Sequence, residues 1–249
     1  MAAEPVTPVT PRPLARAVLR QEWQNVAFLH WPVDPDLVRP LFPAGVEPDL
    51  IGGTTYVGLV AFRIYGTAIL RLPAVPYLGT FPETNVRLYS VDQAGRRGVV
   101  FRSLESTRLV TTLVARYGYA VPYTWSRMRI SRHGDVLTYT SRRRWPAPRG
   151  VASRISVRIG DAIADPSPLD HFLTARWGLH ASWLGRTVYT PTEHPRWSLY
   201  RAELTEVDDS LVAAAGLPAP AGPPVSVLWS PGLPARFGPP VVASRRAGE

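Results

Sequence analysis

Glu83, Asn85 and Arg87 stand at every second position of Phe81-Pro82-Glu83-Thr84-Asn85-Val86-Arg87. In an extended strand successive side chains point to opposite faces, so this spacing puts a carboxylate, an amide and a guanidinium on one face. Converging inside a barrel, they form a polar pocket. Arg87 then offers a planar anion clamp, and a desolvated Glu83 is a base with a raised pKa. Facing solvent instead, the same residues are a charged strand or a structural Glu83–Arg87 pair at a barrel rim. Arg63 and Arg102 end or interrupt other apolar strand runs. Alternation through Val99–Glu105 puts Val100, Arg102 and Leu104 on one face, so Arg102 reads either as a pocket arginine or as a strand-edge guard.

The composition removes several chemistries. All 28 basic residues are arginine, and cysteine is absent. No side-chain Schiff base can form on lysine, and no thiol nucleophile, disulfide or thiolate metal site exists. A GC-rich genome accounts for the bias. The histidines, His30, His133, His171, His180 and His194, include no i, i+4 pair and no His-x-His, so no metal site is expected. His194, beside Pro195 and Trp197, is the one weighed as a pocket acid or base; a lone histidine is otherwise a hydrogen-bonded structural residue. No glycine-rich phosphate loop and no Gly-x-Ser-x-Gly elbow occur, and no cofactor is expected. The formal charge of +9 permits nucleic acid, anionic lipid or an acidic small molecule as partner without choosing among them. Arg127, Arg129 and Arg132 face Arg142-Arg143-Arg144 across a hairpin with Trp125 and Trp145 at its ends, a pattern able to bind phosphates or single strands. No nucleic-acid motif accompanies it, and without lysine, arginine must cover every solvated cationic position, so a nucleic-acid partner is not expected.

The elements that must position these residues are mostly strands. Thr54–Arg63 is a β-branched and aromatic run. Thr84–Val91 and Gly98–Leu104 flank a turn-like hexapeptide, and Thr124–Arg132 and Val136–Arg144 flank His133-Gly134-Asp135, so two hairpins are expected in one antiparallel system. Arg186–Tyr189, Ser198–Val207 and Ser226–Ser230 add strands. Short helices are expected after Asp34 and after Ser167, each a cap residue followed by proline, and over Ser106–Tyr117. Hairpins with isolated helices indicate an α+β antiparallel β-barrel or sandwich. The 27 prolines fit short elements. A mobile N-terminal arm over 1–18, one domain over 19–240 and a frayed tail over 241–249 are expected. With no apolar run at the N-terminus, neither signal peptide nor membrane anchor is expected, and the cytoplasm is the expected compartment.

Three stretches together resemble the YqjF-like branch of the acetoacetate decarboxylase-like superfamily: His30-Trp31-Pro32 through Val46-Glu47-Pro48-Asp49, Phe81-Pro82-Glu83-Thr84-Asn85-Val86-Arg87, and Arg116 through Ala120-Val121-Pro122-Tyr123. Leu169–Thr174 and Trp229-Ser230-Pro231-Gly232 also fit, and the resemblance spans roughly residues 20–238. It implies an acetoacetate decarboxylase-like barrel with a few short helices. The family's Schiff-base lysine follows a proline six residues after an arginine; here Arg116 and Pro122 keep that spacing, and the next residue is Tyr123. The neighbouring lysine position holds Thr124. The resemblance therefore implies the fold without Schiff-base decarboxylation, and places Glu83 at the family's pocket glutamate.

The expectation is a small-molecule enzyme acting on a keto or carboxylate compound by acid–base chemistry, as a lyase, isomerase, dehydratase or cyclase, in secondary metabolism by the actinomycete-like composition. Glu83 is the expected base and Tyr123 the acid or oxyanion donor. Arg87, Arg116 or Arg63 holds the substrate, with Asn85, Arg102 and His194 as further lining. Glu83 and Tyr123 are expected to line one internal cavity. The competing readings are a ligand-binding protein that kept the pocket and lost the nucleophile, and a basic nucleic-acid partner. A homo-oligomer is compatible with the sequence.

Overall fold

In a computed structural model, residues 2–109, 112–113 and 121–243 are described. All thirteen strands among them join one sheet: β1 (Leu19–Val33), β2 (Val46–Pro48), β3 (Thr55–Ile69), β4 (Phe81–Asp92), β5 (Arg97–Ser106), β6 (Tyr123–His133), β7 (Val136–Trp145), β8 (Ala152–Ala162), β9 (Gly178–Trp183), β10 (Arg186–Glu193), β11 (Tyr200–Asp209), β12 (Ser226–Phe237) and β13 (Val241–Val242). Following the hydrogen-bonded neighbours β1-β3-β4-β5-β6-β7-β8-β11-β12 returns to β1, a closed barrel of nine strands. The β9–β10 hairpin arches from β5 to β12 and closes a second ring. Closure removes most free strand edges.

Because β1, β3 and β4 form the wall between the two rings, both of their faces are buried. Ala27, Leu29, Leu59, Val86 and Leu88 turn into the barrel core with Leu137, Tyr139, Ile155 and Val157. Phe28, Val60, Phe62 and Phe81 turn the other way, toward Trp197 and Leu228. A strand covered on both sides favours apolar residues at every position, which is why Tyr56–Phe62 reads as an uncharged, mostly apolar run that ends at Arg63.

The two expected hairpins exist and share the sheet, with one correction to the expected single antiparallel system. β4–β5 and β6–β7 are antiparallel, but β5 meets β6 in parallel register, Leu104 opposite Tyr123. Short helices complete the described fold, among them α1 (Pro35–Val38), continued by a 3-10 turn over Arg39–Leu41, α2 (Pro168–Thr174) and α3 (Leu211–Ala214). The Asp34 side chain accepts from the Asp36 amide at the start of α1. Ser167 and Asp170 cap α2 reciprocally in a capping box. Of the helix expected over Ser106–Tyr117, Ser106 instead ends β5, Leu109, Thr112 and Leu113 are helical, and 110–111 and 114–117 lie outside the described residues.

The N-terminal segment expected as an arm runs along the body. The Glu4 amide donates to the Gly95 carbonyl, Arg12 donates to the Tyr189 hydroxyl at 2.7 Å, and the Leu14 amide donates to Glu193.

Candidate active site

Strand register assembles the site from distant segments. On the face turned away from the barrel core, one rung runs His30, Gly58, Arg87 and Phe101 across β1, β3, β4 and β5. The next rung runs Phe28, Val60, Asn85 and Leu104 and ends at Tyr123 on β6. The third pairs Phe62 with Glu83 and Ser106. Glu83, Asn85 and Arg87 thus share one buried face.

Glu83 is 3% exposed. Its carboxylate accepts from the Tyr123 hydroxyl at 2.6 Å and from the Asn85 side-chain amide at 3.1 Å. No cation neutralises it among the described residues. Burial pushes its pKa up to about 7, and the bonds from Tyr123 and Asn85 offset only part of that shift. Tyr123 is driven well above the ordinary phenol range, first by burial and then by the Glu83 charge, so it remains a proton donor. A base that changes protonation near neutrality, bonded directly to a hydroxyl, is the arrangement acid–base chemistry requires.

Arg87 does not pair with Glu83. Its Nη2 donates to the Leu173 carbonyl at 3.0 Å, and the Tyr89 hydroxyl donates to the same oxygen at 2.9 Å. The carbonyl end of α2 thereby anchors the guanidinium, which lies 5.6 Å from the ring centres of Phe28 and Tyr89. Gly58 makes room for it: a Cβ there would meet Arg87 Cγ at 3.1 Å and the Tyr89 hydroxyl at 3.2 Å. Arg87 Nε, Asn85 Oδ1 and both ring nitrogens of His30 are buried with no hydrogen-bond partner among the described residues.

His194 closes the aromatic side. Its ring lies 4.4 Å from Trp177, 5.2 Å from Trp197 and 5.9 Å from Trp23. Burial lowers its pKa to about 4, the Pro195 carbonyl opposing and the Arg87 charge reinforcing the shift, so it is neutral at pH 7. His30 is likewise held well below its ordinary value by burial and by the charges of Arg87 and Arg176.

The other expected site residues lie elsewhere. Arg63 is on the face of β3 opposite Phe62 and Ile64, away from Glu83. Arg102 is the extra residue of an irregularity in β5: Arg87 pairs with Phe101 but Val86 pairs with Ser103. That extra residue reverses the alternation, separating Val100 from Leu104. Arg102 instead donates to the carbonyls of Leu41 and Ala215. Arg116 lies outside the described residues. Sequence reasoning passed over His30, Tyr89 and the three tryptophans; the signal for His30 was its alternation with Phe28 opposite a strand glycine.

The DUF2071 family, described as an uncharacterized conserved protein, matches residues 20–234. The chain belongs to the DUF2071 family. It is 29% identical over 208 residues to the uncharacterized protein YqjF of Bacillus subtilis (strain 168), covering 84% of this chain and 86% of that one. Similar solved structures share the acetoacetate decarboxylase-like fold. The enduracididine biosynthesis enzyme MppR complexed with pyruvate superposes with a TM-score of 0.64 at 17% identity, covering 94% of this chain and 93% of that chain. An acetoacetate decarboxylase-like enzyme from Sphingomonas wittichii RW1 gives 0.63 at 13% identity, over 98% and 99% of the two chains. An acetoacetate decarboxylase gives 0.63 at 14% identity, over 94% and 92%.

Proposed function

We propose that this DUF2071 protein is an enzyme that moves a proton next to a carbonyl of a small keto or carboxylate compound, without a covalent Schiff base. The observation that carries the reading is the buried, uncompensated Glu83 carboxylate bonded to Tyr123, with a pKa of about 7. Glu83 takes the proton from the carbon beside the carbonyl and the freed electron pair forms the enolate; as Glu83 becomes neutral its hold on the Tyr123 hydrogen weakens, and the hydroxyl turns to donate to the developing oxyanion. The unpartnered Arg87 Nε and the neutral His30 ring supply donors for a substrate carboxylate, and Asn85 Oδ1 takes a donor from the substrate. The pyruvate held by MppR makes a 2-oxo acid the first substrate to test. Enolate formation of this kind is the first step of one class of lyase, isomerase, dehydratase and cyclase reactions.

The test is solvent-deuterium exchange at C3 of pyruvate and longer 2-oxo acids, followed by NMR. Exchange above the buffer rate is expected, and Glu83→Gln should reduce it by at least ~100-fold. Binding of the 2-oxo acid without exchange would favour a ligand-binding protein. Borohydride added with substrate should leave every internal residue unmodified, because the chain has no lysine. An internal side-chain adduct would overturn the non-covalent mechanism.

A further inference from the structure

The β6–β7 hairpin carries an unused feature on its outer side. A surface pocket of about 890 Å³ opens between Trp125, Trp145, Arg142, Arg144 and Arg149, with Leu109 and Leu113 on its far wall. Arg143 also borders it, its guanidinium buried and committed to Glu105. The volume falls in the ~300–1,000 Å³ range of small-molecule sites.

The charges around it are uncompensated. Among the described residues no acidic side chain pairs with Arg142, Arg144 or Arg149, nor with Arg127, which stands directly opposite Arg142 in the register. Like charges directly opposed across strands cost stability unless something neutralises them. Next door the protein does otherwise: Arg154 pairs with Glu206 and Arg158 with Glu203, each at 2.8 Å. Among the described residues, exposed arginines without an acidic partner also stand on β10 and β11, at Arg186 and Arg201, and what distinguishes the β6–β7 group is the cross-strand Arg127–Arg142 opposition beside two tryptophans. The two indoles supply flat apolar walls, and the Arg144 guanidinium lies 5.0 Å from the Trp125 ring centre.

We propose that this pocket binds a small organic phosphate carrying a planar ring. Guanidinium groups grip phosphate oxygens two at a time, and indole faces stack on flat rings. The proposal stands apart from the Glu83–Tyr123 chemistry. Phosphate beside a planar ring occurs both in free nucleotides and in single-stranded nucleic acid, and the mononucleotide and oligonucleotide arms of the test separate the two.

Isothermal titration of the full chain at low salt with adenosine monophosphate, adenosine, inorganic phosphate and a short oligothymidylate separates the cases. Adenosine monophosphate should bind, with adenosine and inorganic phosphate each at least tenfold weaker. The double variant Arg142→Ala/Arg149→Ala replaces exposed side chains and relieves the Arg127–Arg142 opposition, so it should melt no lower than wild type while weakening adenosine monophosphate at least tenfold. No binding up to millimolar concentration, equal affinity for any of the fragments, or an unaffected double variant would overturn the proposal. Oligothymidylate binding more than tenfold tighter than the mononucleotide would overturn it in favour of a nucleic-acid groove.

Discussion

Glu83 and Glu105 are buried carboxylates on neighbouring strands, and they have opposite characters. Glu83 on β4 faces the second ring, and Glu105 on β5 faces the barrel core, opposite Thr84 in the register. Each takes a hydroxyl bond from β6, Glu83 from Tyr123 and Glu105 from Ser126. Burial pushes both pKa values up, but Glu105 also holds the Arg143 guanidinium, and that charge with the Ser126 and Thr124 hydroxyls brings it below its ordinary value. Among the described residues Glu83 has two neutral donors and no cation, so burial prevails. The counter-charge, not the burial, separates a structural ion pair from a carboxyl able to exchange protons near neutral pH.

The largest expected effect of breaking this contrast is at Glu105. Glu105→Gln leaves Arg143 buried without its partner and should cost about 3–5 kcal/mol of unfolding free energy, read by urea denaturation. Replacing both, Glu105→Gln with Arg143→Met, should recover much of that loss. If the single variant is as stable as wild type, the pair is not what holds this end of the barrel.

Glu83→Gln should do the reverse. A carboxyl whose folded pKa lies above its unfolded value contributes stability below the unfolded value and loses it as pH rises through the folded one. For Glu83 the window runs from the ordinary 4.5 to about 7. The wild type should therefore weaken across that window by up to roughly 3 kcal/mol from this group, at ~1.4 kcal/mol per unit. Glu83→Gln should flatten the window and melt higher than wild type at pH 8, while losing proton exchange. Glu105 acts with the opposite sign, its stabilisation disappearing as pH falls below the ordinary carboxylate range.

The smallest effect belongs to Tyr123→Phe. It removes one hydrogen bond and keeps the ring, so the expected loss is about 1 kcal/mol. Without that donor the Glu83 midpoint should move further up, visible as a basic shift in the pH dependence of exchange. An unchanged midpoint would show that the hydroxyl does not act on the carboxylate.

The legible part of the site was the part that obeyed local periodicity. β4 pairs with β3 in unbroken register, so alternation placed Glu83, Asn85 and Arg87 together without knowledge of the fold. One strand further, the same rule failed at Arg102, because an extra residue in β5 reverses the faces and nothing local in Val99–Glu105 announces it. Tyr123 was located through its place after Pro122, and the parallel β5–β6 join that delivers it to Glu83 is tertiary. The aromatic wall was beyond local reading: Trp23, Trp177 and Trp197 come from three separated segments and meet only when β9–β10 closes the second ring. The cap signals at Asp34 and Ser167 were read correctly, since a side chain bonding its own helix start needs no distant partner. The strands at Leu19–Val33 and Ala152–Ala162 were less visible, as their interspersed polar residues blur the apolar runs.

The central claim is that Glu83 is an uncompensated buried carboxyl titrating near neutrality. The direct measurement is a pH titration of the side-chain carboxyl carbons by NMR in protein labelled at glutamate, with Glu83→Gln and Glu105→Gln assigning the two resonances. A Glu83 midpoint at about 7 is expected, with Glu105 titrating below the ordinary carboxylate range. A Glu83 midpoint at or below the ordinary 4.5 would contradict the account.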